Sequence, residues 1–261
     1  MVEIASELFY EGRLEARAPE GRVDGIAKWS GLPMPGFPVA FFDVYGLDKQ
    51  VEHSTSWWNE AEAERVIEIA ESLVRAYPDV CGREGEGIAV VCGFVLQQKK
   101  IRQLLRGTCA KDVKVLAVEA VQGCEQKVII MTTVRSTANI DSHRNRESDK
   151  RHTLGLLVDD GRLNTALTRA QAALIIVGDS NALAQSPTTN RLLRMLKDRK
   201  AYAPPNDNPI APKLSIRAPE FEPVPGGGRP MAIEPPHGPH PPSPPPAPSN
   251  FCGDNDDWTL P

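Results

Sequence analysis

Residues 161–179, GRLNTALTRAQAALIIVGD, predict a short helix that leads directly into a buried strand. The apolar residues of the first half recur at helical spacing and form one stripe. Arg162 and Arg169 share a different face and lie roughly 10 Å apart along the axis, at 1.5 Å per residue. The apolar run 173–177 is typical of a strand buried in a parallel sheet. Two cations fixed in this way suit a polyanionic ligand, and they equally suit solvent or carboxylate partners.

The same alternation of strand and helix recurs along the first 202 residues. Asn59 is a good N-cap for one helix, Glu62 is its capping-box partner, and Pro78 ends that helix. The pattern predicts right-handed βαβ units, and so an α/β fold with a parallel sheet and helices on both faces. Apolar runs predict strands at 39–44, 88–92, 114–118 and 128–134, and helical patterns predict further helices at 60–77, 95–106 and 191–200.

Composition limits the class of protein. The 261 residues are 41% hydrophobic and 25% charged, which suffices for one full α/β domain. The net charge is -4, so any nucleic-acid site must be local. The five cysteines form no C-x-x-C pair, which favours reduced thiols over a disulfide scaffold or a zinc site. We find no signal peptide and no apolar run that spans a bilayer, and we expect a cytoplasmic or nuclear protein.

A change in composition near Tyr202 predicts a domain boundary. Of the 24 prolines, 18 lie at or after Pro204. We therefore expect a folded domain at 1–202 and a disordered, partly polyproline II tail at 203–261. The tail suits SH3-type or WW-type grooves, or it is a solvated spacer.

Two stretches inside the domain lack a regular pattern. We expect an irregular connection at 15–38 and a mobile surface loop at 137–152. His143 and His152 have no ligand-like spacing to any cysteine, so we expect no metal site there.

Polar residues cluster before and after the fourth predicted strand. Gln122, Gly123 and Glu125 form a tight turn before it, and Arg135 and Ser136 follow it. The glycine permits close backbone approach, the glutamate can accept from a ribose hydroxyl, and the last two suit phosphate. Ligands bind at the carboxyl ends of parallel strands, so we expect both loops at that edge of the sheet. Each residue is also explained as part of a turn or a strand-end cap.

Several motifs are absent from the sequence. It holds no G-x-x-x-x-G-K-[ST] and no strand with paired acids that would bind Mg²⁺, so it has half of a phosphoryl-transfer site. It also lacks the G-x-G-x-x-G that a dinucleotide-binding oxidoreductase needs.

Five segments, taken in order, carry a resemblance to a known family. Roughly residues 1–200 resemble the second, carboxyl-terminal RecA-like domain of superfamily 1 helicases of the nonsense-mediated-decay type, and look closest to the Armitage-like RNA-silencing group. The resemblance implies a RecA-like parallel sheet, similar to that of P-loop NTPases. The segments are FYEGRL, SWWNEAEAERV, VVCGFVLQQKKIRQLL, VEAVQGCEQKVIIMTTVRS and LGLLVDDGRLNTALTRAQAALIIVGD.

The resemblance implies a role for each matching residue. Arg169 looks like the arginine finger, which would reach the γ-phosphate of ATP bound on a first domain. The residues implied on the nucleotide side are Gln122, Gly123, Glu125 and Arg162, and those on the nucleic-acid side are Gln97, Thr133, Arg135 and Ser136.

The resemblance also implies cofactors and partners. ATP and Mg²⁺ would be bound mainly by a first RecA-like domain, in cis or in trans. Closure of the two domains would move single-stranded RNA, or DNA, stepwise. We expect this chain alone to be inactive in ATP hydrolysis.

The sequence departs from the family pattern at several positions. Ala117 stands where the family usually has Ser or Thr, Gly161 replaces an arginine, and Gln171 replaces a basic residue. Met1 falls just downstream of the place of the family's Q-Y-R-M-H-P. These departures support an alternative hypothesis, a non-catalytic RecA-like interaction module with a partner-binding tail.

Overall fold

The structure is a computed structural model that describes residues 2–15, 25–51, 54–81, 87–137 and 159–205. The strands are β1 Val39–Asp43, β2 Asp48–Gln50, β3 Trp57–Asn59, β4 Ile88–Cys92, β5 Lys114–Leu116, β6 Gln126–Thr132, β7 Ala170–Gly178 and β8 Tyr202–Ala203. The helices are α1 Val2–Phe9, α2 Glu60–Ala76, α3 Pro78–Cys81, α4 Val95–Leu105, α5 Asp160–Leu167, α6 Ser180–Leu183 and α7 Pro187–Asp198, with 3₁₀ turns at Ile26–Lys28 and Glu119–Val121.

Six strands form one sheet in the order β5-β4-β6-β7-β1-β8, and every pair in it is parallel. The central strands β6 and β7 are almost wholly buried, which explains their apolar runs. Strands β2 and β3 form a separate antiparallel pair. The predicted α/β fold class with a parallel sheet is confirmed.

The direction of each crossover decides which face a helix covers. The connections through α2 and α4 step toward β5, whereas those through α5 and α7 step toward β8. Right-handed crossovers in opposite directions place their helices on opposite faces. Accordingly, Val66 and Ile101 pack in one apolar cluster with Ile130, and Leu163 and Leu192 pack in another cluster with Ile129, the preceding residue of β6.

The divergence of these crossovers creates two places where neighbouring strands lead to opposite faces. One lies between the carboxyl ends of β4 and β6, and the other between those of β7 and β1. Such switch points are where open α/β sheets bind ligands.

Some predicted boundaries differ from the structure. The last helix begins earlier than predicted, at Pro187, and the β2–β3 pair was not predicted. Strand β8 includes Ala203, the first residue assigned to the tail, because it pairs with Phe42 at the sheet edge. From residue 206 onward the predicted tail lies outside the described residues, as do residues 138–152 of the predicted loop with His143 and His152.

None of the helices in the described segments is both long and apolar enough to cross a bilayer.

The carboxyl ends of β6 and β7 meet where only a glycine fits. A Cβ atom added at Gly178 would lie 2.1 Å from Thr133 Oγ1. The Gly178→Ala variant should therefore lose about 1–3 kcal/mol of unfolding free energy, the usual cost of overpacking.

Chemical denaturation of Gly178→Ala and of the double variant Gly178→Ala/Thr133→Ala measures this contact. The second substitution removes the clashing hydroxyl and should restore most of the loss. Equal stability of the two variants would show that the contact does not determine the cost.

Candidate functional site

The predicted site residues fall into two groups at opposite ends of the sheet. The loop that follows β5 must lead into β6, and these two parallel strands lie on either side of β4. It therefore crosses from the carboxyl edge to the amino edge. The expectation that the whole loop lies at the carboxyl edge is wrong, because Gln122, Gly123 and Glu125 immediately precede the amino end of β6.

The first group surrounds the amino ends of β6 and β7. The backbone N–H of Gln126 donates to the carbonyl of Arg169 at 3.0 Å. Gln171 Nε2 donates to Glu125 Oε2 at 2.9 Å. Gly123 has a φ of 78°, which glycine adopts without strain and which forms the tight turn. The predicted nucleotide loop and Arg169 are thus neighbours in the structure.

Arg169 lies at the end of α5, where a hydroxyl holds its side chain. Its Nε and Nη2 donate to Thr168 Oγ1 at 3.3 and 2.9 Å. The same hydroxyl donates to the carbonyl of Asn164 at 2.8 Å, inside the last turn of the helix. Among the described residues the guanidinium is therefore oriented by neutral groups, and none of their carboxylates pairs with its charge.

Arg162 lies at the start of the same helix. Asp159 caps this helix by accepting from the backbone N–H of Arg162 at 3.0 Å. The Arg162 guanidinium forms an ion pair with Glu119 of the second 3₁₀ turn, and both side chains are partly exposed. Arg162 therefore has a carboxylate partner, which is one of the two roles that the sequence pattern allowed for these arginines besides binding a polyanion.

The second group is a buried polar network at the carboxyl ends of β4 and β6. Its centre is Glu62, whose Oε2 accepts from the Thr132 hydroxyl and from the backbone N–H groups of Thr133 and Val134, the latter two at 3.0 and 2.8 Å. Burial raises the pKa of Glu62 to about 8, although these donors lower it.

The capping box predicted for α2 is only half present. Asn59 Oδ1 accepts from the Glu62 N–H at 3.2 Å, so the N-cap is confirmed. The Glu62 side chain does not return to the Asn59 N–H, because it faces the end of β6. Gln97 takes that place, since its Oε1 accepts from the Asn59 N–H at 2.8 Å and its Nε2 donates to the Asn59 carbonyl at 3.1 Å.

Val134 has a strained backbone with a φ of 72°. A β-branched residue rarely adopts this left-handed conformation, so the surroundings must stabilise it. Its N–H donates to Glu62, and its carbonyl accepts from Asn59 Nδ2 at 3.1 Å. The first turn of α2 therefore fixes the direction in which the chain leaves β6.

Arg135 follows this strained residue and is fully buried. Its Nη1 lies 3.0 Å from Asp48 Oδ2, and its guanidinium carbon lies 3.7 Å from the centre of the Trp57 ring. Burial lowers the pKa of Arg135 to about 10, and the nearby Asp48 opposes this shift. Ser136 donates its hydroxyl hydrogen to the same aspartate.

The predicted nucleic-acid residues are thus internal in this structure. The exposed fractions are 0% for Gln97, 2% for Thr133, 0% for Arg135 and 3% for Ser136. Their polar groups face the interior, where they set the shape of the carboxyl edge.

Sequence reasoning missed part of this network. Asp48 and Trp57 belong to the unpredicted β2–β3 pair, and no spacing in the sequence connects them with Arg135. The signal for Glu62 was present as the third residue after an N-cap, but the same position also fits the capping box. Among the described residues, no group of three His, Cys, Asp or Glu side chains could hold a metal ion.

Comparison with known proteins shows which family the chain matches. The model of a family described as an AAA domain matches residues 1–181. RNA helicase Mov10l1 of Homo sapiens is 36% identical over 193 residues, which cover 74% of this chain and 15% of that protein.

Two further relatives are similar in the same way. Putative helicase MOV-10 of Gallus gallus is 32% identical over 82% of this chain and 24% of that protein. Regulator of nonsense transcripts 1 homolog of Drosophila melanogaster is 31% identical over 76% of this chain and 16% of that protein. The chain therefore spans at most about a quarter of the length of each of these three relatives.

The Glu62 carboxyl group predicts a pH dependence of stability. Its pKa of about 8 in the folded state lies above its ordinary value of 4.5, so the folded state keeps a proton that the unfolded state releases. The free energy of unfolding should therefore fall as pH rises from about 4.5 to about 8. Glu62→Gln removes this titration and should make the fall shallower.

Urea denaturation at about pH 5, 6.5 and 8 measures the effect through the linkage of stability to proton binding. Glu68→Gln, an exposed position on the same helix, is the matched control and should keep the wild-type slope. An identical slope in Glu62→Gln would contradict the assignment.

The Arg135–Asp48 pair predicts a large loss of stability when one charge is removed. Asp48→Asn keeps the size of the side chain but leaves the buried guanidinium without its counter-charge, which should cost about 3–5 kcal/mol. The double variant Asp48→Asn/Arg135→Met removes both charges and should recover part of this loss. Denaturation midpoints test this, and a loss below about 1 kcal/mol for Asp48→Asn would contradict it.

Proposed function

We propose that this chain, which belongs to the AAA domain family, supplies the carboxyl-terminal half of an ATP-dependent RNA helicase. It is a second RecA-like domain of superfamily 1 helicases, of the nonsense-mediated-decay and Armitage-like type. The choice of RNA is supported by the name of the human relative, an RNA helicase. We infer that the chain alone does not hydrolyse ATP, because its sequence contains no phosphate-binding loop.

The placement of Arg169 carries the proposal. Its guanidinium is fixed by the Thr168 hydroxyl, next to the loop with Glu125, and no carboxylate of the described residues pairs with it. An arginine finger needs this combination, since it must be oriented in advance and must still carry an uncompensated charge for the γ-phosphate. Arg169 is accordingly the residue to which we assign that role.

The nucleotide side of the site comprises Gln122, Gly123, Glu125 and Arg162. Arg162 fits an anionic triphosphate by charge, and its partly exposed pair with Glu119 is of a kind that contributes little stability and can be exchanged. ATP supplies the phosphoanhydride bond, and a first RecA-like domain holds most of the nucleotide and its Mg²⁺. In this arrangement the present chain contributes cations and hydrogen-bonding groups from one side.

The nucleic-acid side comprises Gln97, Thr133, Arg135 and Ser136. Since these side chains are buried, we assign them the role of fixing the shape of the carboxyl edge of the sheet, against which the nucleic-acid strand lies. The strained Val134 supports this role, because strained backbone is commonly retained where a precise geometry serves function.

The test is the Arg169→Ala variant in a chain that also carries its first RecA-like domain. ATP turnover should fall by about 10³- to 10⁵-fold, the usual contribution of an arginine finger. Arg194→Ala, an exposed position on α7, is the matched control and should leave turnover unchanged. Turnover that is unaffected by Arg169→Ala would overturn the assignment and favour the non-catalytic interaction module.

A further inference from the structure

A cleft of about 440 Å³ opens at the switch point between the carboxyl ends of β7 and β1. Its walls come from the connection after β1, the residues after β6 and the start of α6. The volume falls in the range of small-molecule sites, and the position is one where parallel sheets bind ligands. Its lining includes Tyr45, Leu47, Ser136, Thr137, Asp179 and Asn181.

The lip of the cleft carries exposed apolar side chains on a fixed backbone. Tyr45 is 57% exposed and Leu47 is 62% exposed. Gly46 between them accepts a hydrogen bond from Asn59 Nδ2 at 3.0 Å, and an added Cβ would lie 2.5 Å from Asn59 Oδ1. The loop is therefore held tightly against the first turn of α2. An exposed aromatic ring on such a support is suited to stacking.

The polar groups of the cleft are largely committed to the protein. Asp179 Oδ2 accepts from the N–H and the hydroxyl of Thr137, both at 2.8 Å, and its Oδ1 accepts from backbone N–H groups of α6. Ser136 donates to Asp48. A carboxylate at this position disfavours a phosphate group, because like charges would meet in the cleft.

The Asn181 side chain remains available to a ligand. It is exposed, and its side-chain amide makes no hydrogen bond to another described residue, whereas its backbone N–H donates to Asp179. A carboxamide both donates and accepts, as the hydrogen-bonding edge of a nucleobase does. The cleft therefore favours a neutral aromatic heterocycle. It offers the exposed Tyr45 ring for stacking and the Asn181 side-chain amide for hydrogen bonds, and the Asp179 carboxylate repels phosphate.

We propose that this cleft binds one unpaired nucleobase of single-stranded RNA, with the base stacked on Tyr45 and its edge bonded to Asn181. The proposal rests on the proposed function, since it assumes that the chain binds RNA. Ser136, which belongs to the nucleic-acid side of that function, lines the same cleft. The phosphates of the bound nucleotide remain outside, in solvent.

The test uses the 261-residue chain and single-stranded oligouridine with a fluorescent end label. Tyr45→Ala should raise Kd about 5- to 150-fold, the effect of one stacked base. Tyr45→Phe keeps the ring and should change Kd less than about twofold. Because Tyr45 is exposed, both variants should keep the wild-type melting temperature.

A double comparison isolates the contact with the base. On an abasic strand of the same length, Tyr45→Ala and wild type should bind equally. An oligonucleotide with 2-aminopurine should lose fluorescence on binding wild type, through stacking, and keep it on binding Tyr45→Ala. Asn181→Ala should reduce the difference in Kd between oligouridine and oligoadenosine.

Each of the other possible outcomes overturns one defined part of the proposal. If wild type binds RNA and Tyr45→Ala binds it equally well, the base site is wrong and the proposed function stands. If wild type binds no RNA, both the RNA role of this chain and the base site fail. If a proline-rich peptide binds wild type but not Tyr45→Ala, and RNA binding is unaffected, the occupant is a protein segment instead.

Discussion

The carboxyl edge of this domain depends on one buried carboxyl group. Glu62 binds the end of β6 through the Thr132 hydroxyl and through the backbone N–H groups of the two residues that follow the strand, and the N-cap Asn59 binds the carbonyl of Val134. Together they hold Val134 in a conformation that this residue type avoids. The positions of Arg135 and of the loop around Gly46 follow from this contact. A helix end and a strand end thus determine each other's geometry.

The two groups of site residues lie at the two ends of one strand. Strand β6 begins beside Glu125 and Arg169 and ends beside Thr133, and its seven residues span roughly 23 Å at 3.3 Å per residue. It is buried on both faces and paired on both edges, so it is among the most rigid parts of the sheet. A displacement imposed at the end beside Glu125 and Arg169 would therefore move the carboxyl edge as part of the same rigid element.

The sequence predicted most of the sheet because its signals are local. Apolar runs identified the main strands, and Asn59 identified the start of α2. The location of the loop 119–125 could not be predicted in the same way, since it depends on the strand order. The Arg135–Asp48 pair joins residues far apart in the chain, and the Tyr45 cleft forms only when β1 and β7 lie side by side. Motif resemblance found residues of both groups, but not the side chains that hold them in place.

The strand order also has a consequence for the synthesis of the protein. Strand β1 is made early, yet both of its neighbours, β7 and β8, come near the end of the domain, with Val39 paired to Leu174 and Phe41 to Tyr202. Until those strands leave the ribosome, the apolar segment VAFFD has no edge to join. Contacts of such long sequence separation slow folding and leave apolar surface exposed in the meantime. This domain is therefore most prone to aggregation in the interval after β1 has left the ribosome and before β7 and β8 have done so.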